Sequence, residues 1–130
     1  MPDILGIGTD IIECLRIAQM IERHGEQFIN RVYTTAEIQY CQSRKLATQH
    51  FAGRWAAKEA VLKAMGTGWR RGIGWRDVEL LSTSGGKPLV ILHGGARDAC
   101  DNLGIAQIMV TISHCRSHAT AYALALGHDE

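Results

Sequence analysis

No run in this chain approaches the ~18 apolar residues that a transmembrane helix needs. Its four cysteines, Cys14, Cys41, Cys100 and Cys115, include no Cys-x-x-Cys pair and no metal-finger spacing. That excludes a zinc module and leaves them as reduced thiols. Pro2 and Asp3 stand where a signal peptide would carry a basic segment before an apolar one, so a cytoplasmic location is expected. An excess of charge is missing as well. The 14 basic and 13 acidic side chains leave a net charge of +1, so no global field favours nucleic acid or an anionic membrane, and any anionic partner must be met locally. There are no repeats, no low-complexity tract and no linker long enough to divide the 130 residues, which predicts one domain able to bury roughly two-thirds of its unfolded surface. A Ser/His/Asp order, an HExxH helix and a Walker loop are also absent.

What is present centres on Phe51 to Gly68, which reads as a helix with its polar residues in awkward places. At about 100° per residue, Phe51, Trp55, Leu62 and Met65 form one apolar stripe, and Lys58 falls inside it. Its ammonium must either snorkel to water or meet an anion at the edge of the core. Glu59 and Lys63 lie one turn apart in the order that favours an ion pair. Ala52, Ala56 and Ala60 leave room beside them for another segment or a ligand. Gly66 is a helix stop, and Gly66-Thr67-Gly68 leaves a loop poor in side chains.

Upstream, Ile4 to Ile12 reads as a strand whose alternation puts Gly6, Gly8 and Asp10 on one side, a bare strip that a backbone or ligand can approach. Asp10 then either caps the next helix or faces that strip. Ile12 to His24 has helical spacing and ends near Gly25. Arg16 and Arg23 share one of its faces, where Glu13, Glu22 and Glu26 mix the charge. Thr34-Thr35-Ala36-Glu37 fits a capping box that opens a helix to about Arg44. Trp69 to Asp77 carries Arg70, Arg71 and Arg76 among glycines and tryptophan, too short a stretch to grip single-stranded nucleic acid. Two strands, Val78–Leu81 and Pro88–His93, flank a hairpin turn. A short helix from Gly94 to Asn102 follows, capped by Gly104. The strand Ala106 to His114 places Ile108, Val110, Ile112 and His114 on one face, and a last strand runs from His118 to Leu126. Strands at both ends with helices between them predict an α+β fold, a small and mostly antiparallel sheet packed against helices.

Asp10 and Glu59 are candidates for a hard-cation site, because magnesium takes one or two carboxylates together with water and substrate phosphate. Arg54, Lys58 and Lys63 around Glu59 supply the positive charge that phosphate ligands would need, and transfer at phosphorus depends chiefly on positioning and charge neutralisation.

The motifs Gly6-Ile7-Gly8-Thr9-Asp10-Ile11, Phe51-Ala52-Gly53-Arg54-Trp55-Ala56-Ala57-Lys58-Glu59-Ala60, Lys63 to Gly68, Gly86-Lys87-Pro88 and Ile112-Ser113-His114 come in the order seen in one family. They resemble the signatures of the holo-[acyl-carrier-protein] synthases, the small 4′-phosphopantetheinyl transferases. The resemblance implies the 4′-phosphopantetheinyl transferase fold and a homotrimer with active sites between subunits. The implied reaction moves phosphopantetheine from coenzyme A to a serine of an apo acyl carrier protein, in fatty acid biosynthesis, and releases adenosine 3′,5′-bisphosphate. By the same resemblance Asp10 and Glu59 bind Mg2+, and Lys63 neutralises the pyrophosphate. Arg54 and His114 contact the nucleotide end, Gly66 and Gly68 allow close backbone approach, and Arg16 and Arg23 dock the carrier. Glu59, acting through water, is the first choice of general base. The alternatives are a non-catalytic coenzyme A or carrier-protein binding module, and a metal-dependent phosphoester hydrolase.

Overall fold

In the computed structural model, residues 1–70 and 72–129 are described, and Arg71 lies outside them. The first strand, β1 (Ile4–Glu13), leads into α1 (Cys14–His24), α2 (Glu26–Val32), α3 (Thr35–Gln42) and the long α4 (Ala47–Met65). A 3-10 turn at Trp75–Asp77 precedes the hairpin β2 (Val78–Ser82) and β3 (Pro88–Leu92). The chain closes with α5 (Gly94–Leu103), β4 (Ile105–His114) and β5 (His118–Gly127). Strands β1, β5 and β4 form an antiparallel sheet in that order, with β2 and β3 as a separate antiparallel pair. This is the expected α+β architecture. The strand of β1 runs to Glu13, so α1 begins two residues later than its periodicity predicts. The two-turn helix α2 was not foreseen.

α4 lies across the inner face of the three-stranded sheet, and the sequence makes that approach close. On β5 the inward residues are Ala119, Ala121, Ala123 and Ala125, all at most 1% exposed. On β1 the facing positions are Gly6 and Gly8. A Cβ on Gly6 would sit 1.9 Å from Ala64 O, and one on Gly8 would sit 2.1 Å from Ala60 O. Only glycine lets the helix backbone settle there. The bare strip is therefore filled by the helix backbone over Gly6 and Gly8.

α4 also has almost no wet side. From Phe51 to Met65 only Lys63 is exposed, with Trp55 and Glu59 half-buried. Lys58 is wholly buried and meets an anion rather than water. Its ammonium donates to Glu37 Oε1 at 2.9 Å and to the carbonyls of Trp75 and Val78. Glu37 closes the predicted capping box by accepting from the Thr34 N–H at 2.8 Å, and it also accepts from the Leu80 N–H at 2.9 Å. One buried carboxylate thus ties α3, α4 and β2 together. Burial pulls the Lys58 ammonium below its ordinary value, and Glu37 opposes that pull.

Candidate functional site

The first candidate cluster sits where β1 leaves the shelter of α4. Asp10 follows Gly6 and Gly8 on the helix-facing side, with the main chain fixed by Thr120, whose hydroxyl donates to Asp10 O at 3.0 Å. Asp10 does not cap α1, whose N-cap is Glu13 without a side-chain bond. Its carboxylate instead accepts from Lys63 Nζ at 3.1 Å, and the same ammonium donates to Thr9 O at 2.9 Å. The α4 pair expected from spacing, Glu59 with Lys63, is not formed among the described residues. Lys63 reaches across to the strand, and Glu59 Oε1 accepts from Trp69 Nε1–H at 3.2 Å. The indole is held in turn by stacking on Trp75 at 4.0 Å, which stacks on Trp55 at 4.1 Å.

A lysine ammonium thus already occupies a place for positive charge, between a carboxylate oxygen and a carbonyl oxygen. The side chains of Lys63 and Asp10 are 53% and 17% exposed, so that charge can be exchanged for another. Hard oxygen donors open to solvent suit magnesium, which keeps several waters. The described residues contain no group of three or more His, Cys, Asp or Glu that could hold a metal. A cation between Asp10 and Glu59 would therefore draw its remaining ligands from water and a ligand's phosphates. Beyond the helix stop, Gly66 and Gly68 adopt positive φ of 77° and 61°, and the loop edges a hollow of about 210 Å³ with Arg70, Asn102 and Leu103.

The second cluster lines a groove of about 340 Å³ between α4, the β2–β3 turn and β4. Arg54 forms its floor and is 5% exposed. Its guanidinium lies 4.2 Å from the centre of the Tyr40 ring, and Nη2 donates to Ser82 Oγ at 3.2 Å. Its buried Nε has no partner among the described residues, so the group retains donor capacity for an anion. Gly53 lets α4 touch β4 here, because a Cβ would fall 2.9 Å from Ile112 Cγ2. His114 ends β4 on the same wall, with Nδ1 at 2.8 Å from Gln49 Oε1. Since that oxygen only accepts, Nδ1 carries the proton and the other nitrogen is left for a ligand. His50 packs edge-on to His114 at 5.0 Å and to Tyr40 at 5.6 Å. Burial, then His114, Arg54 and Arg44, hold its imidazole below the ordinary value.

The sequence brought Asp10, Glu59, Lys63, Arg54 and His114 forward, and the fold pairs Asp10 with Lys63 and sets Arg54 and His114 in one groove, while Glu59, one turn before Lys63, accepts from Trp69. Trp69, Tyr40, Gln49, His50 and Ser82 were missed, since only the fold brings them to those places. Arg16 and Arg23 lie apart, exposed on α1. Near the start of that helix a roomier groove of about 500 Å³ is lined by Leu15, Ala18, Lys45, Leu46 and Arg116.

Residues 6–125 match the family model described as the 4′-phosphopantetheinyl transferase superfamily. A holo-[acyl-carrier-protein] synthase of Koribacter versatilis is 48% identical over 118 residues, covering 91% of this chain and 94% of that protein. The solved structure of a holo-[acyl-carrier-protein] synthase from Neisseria meningitidis superposes with a TM-score of 0.87 at 29% identity, covering 95% of this chain and 98% of that one. That of Helicobacter pylori, in complex with coenzyme A, gives 0.81 at 27% identity over 92% and 98%.

Proposed function

The chain belongs to the 4′-phosphopantetheinyl transferase superfamily, and from that premise we propose how its two clusters divide one reaction between them. The enzyme moves the phosphopantetheine arm of coenzyme A to a serine of an apo acyl carrier protein. All 130 residues serve as one catalytic domain. The observation that carries the reading is Lys63, held on Asp10 one helical turn beyond Glu59. Two carboxylates and an exchangeable ammonium are the parts needed where a pyrophosphate is bound and broken.

Asp10 and Glu59 would hold Mg2+, which when bound supplies charge neutralisation at the pyrophosphate. Lys63 then turns from Asp10 to a phosphate oxygen, a move its exposure permits. Trp69 keeps the Glu59 carboxylate in one orientation by its indole N–H. The carrier serine Oγ attacks the β-phosphorus in line and passes its proton through water to Glu59. The bond from that phosphorus to the bridging oxygen breaks, and adenosine 3′,5′-bisphosphate leaves with the electron pair. Arg54 and His114 hold the nucleotide end in the groove, while Gly66 and Gly68 admit the ligand close to the backbone.

Arg16 and Arg23 meet the acidic carrier beside the groove that includes Leu15 and Leu46, which are 64% and 54% exposed. The outer face of the sheet supports a homotrimer. Ile7, Leu124 and Met109 form one cross-strand row there and Thr9, Tyr122 and Thr111 the next, with Leu5, Ile7, Ile11, Met109 and Tyr122 exposed. Large apolar side chains gathered on one face mark an interface. The location is cytoplasmic and the pathway fatty acid biosynthesis.

Glu59→Gln tests the assignment. Turnover should fall by at least the 10²-fold that a general base supplies, while size-exclusion mass still reports the trimer. A variant with near-normal rates removes Glu59 from the chemistry.

A further inference from the structure

We propose that His50 is a specificity-determining residue of the Arg54 groove, a group that takes up a proton when a phosphate monoester enters and so selects ligands carrying one. The inference rests on the reading that the nucleotide end of coenzyme A lies in this groove.

His50 stands one helical turn before Arg54, so both side chains leave α4 on the same side. It lines the groove together with Arg54, Tyr40 and His114, and its own contacts there are two ring edges, Tyr40 and His114. The charged and titratable groups facing it come from every neighbouring element. Arg54 lies on α4, Tyr40 on α3, Arg44 just beyond α3 and His114 on β4. The Arg44 and Arg54 guanidinium groups both lie over the Tyr40 ring, 4.5 Å and 4.2 Å from its centre. Burial comes first, and His114, Arg54 and Arg44 next, in holding the free imidazole below its ordinary value.

A monoester reverses that balance. It carries close to two negative charges at pH 7, whereas each phosphate of a pyrophosphate diester carries one. An anion within about 4–6 Å favours the imidazolium. Of the other groove groups, His114 has one nitrogen committed to Gln49, and Arg54 has one nitrogen on Ser82. Arg44 and Arg54 are already two fixed cations beside His50, and a third would repel both in the absence of ligand. A residue that becomes charged only on binding avoids that repulsion and still adds a charge-assisted donor.

The test is titration calorimetry of adenosine 3′,5′-bisphosphate at pH 6.5 in two buffers of different ionisation enthalpy, which counts protons taken up. The proteins are wild type and His50→Phe, whose ring keeps the packing on Tyr40 and His114. Wild type should take up most of a proton more than the variant. It should also bind about tenfold tighter at pH 6, the scale of one hydrogen bond to a charged group, and equally at pH 8.5. Dephospho-coenzyme A, which lacks the monoester, should show no difference between the two proteins. Equal proton uptake with the bisphosphate, or the same difference with dephospho-coenzyme A, overturns the role of His50. If the nucleotide binds neither protein, the groove is not its seat, and the inference falls with that reading.

Discussion

At position 50 an imidazole is packed on Tyr40 and His114 within the field of Arg44 and Arg54, which affects stability even without a ligand. Burial and those charges lower its folded value below the ordinary 6.5, so the folded state resists a proton that the unfolded chain accepts. Above pH 6.5 the group is neutral in both states and adds no pH dependence. As pH falls through 6.5 towards the lowered folded value, the unfolded state gains protons first and stability drops. Urea midpoints at pH 7.5 and 5.5 should therefore fall further for wild type than for His50→Phe, and equal falls would contradict the placement. At this scale the sequence was most legible where a charged residue stood out of place. Lys58 in an apolar stripe had either to reach water or to meet an anion, and Asp10 at the end of a glycine strip either capped the next helix or faced that strip. Trp69, Gln49 and Tyr40 gave no such signal. Their roles come from partners 10, 65 and 14 residues away, separations that periodicity does not register.

The contact of α4 with the sheet decides where Lys63 points, and Gly8 sets that contact. Gly8→Ala should displace the helix, cost about 1–3 kcal/mol by overpacking and lower turnover through the lost Asp10–Lys63 register. Gly85→Ala, where an added Cβ meets nothing within 4 Å, should stay within about 0.5 kcal/mol. Similar urea midpoints for the two variants would mean that the approach is not tight. The buried pair behind α4 makes a second expectation. Lys58→Met strands the Glu37 carboxylate and should cost about 3–5 kcal/mol, whereas the double variant Glu37→Met/Lys58→Met should cost well below the sum of the singles. Additive losses would show that the two charges do not depend on each other. The strands, α3 with its capping box and the glycine stops of α4 and α5 were legible because each has a local signature. α2 was not. It has only two turns, anchored by Phe28 and Val32, and tertiary packing rather than pattern makes it a helix. The sequence leaves room for another segment at Ala52, Ala56 and Ala60 of α4, and they are buried as the alanines of β5 are; which segment fills that room shows only when both elements are in place.

Across the whole molecule, the proposed reaction has one helix serve both ends of the substrate. The first turns of α4 bring His50 and Arg54 to the groove beside the β2–β3 turn, and its last turns carry Glu59 to Trp69 and Lys63 to Asp10. The inner face of the sheet positions that helix, and the outer face carries exposed apolar side chains, the face the proposed trimer would cover. What the motifs could not give was this division into two sites along one axis, because it depends on the glycine-set height of α4 over β1. The most direct measurement is the intact mass of an apo acyl carrier protein after incubation with this enzyme, coenzyme A and Mg2+, beside an EDTA control. A gain of one phosphopantetheine group, lost with EDTA, is the predicted result. An unchanged mass with several carriers, from an enzyme that is folded and still binds coenzyme A, would contradict the transferase and leave a binding module in its place.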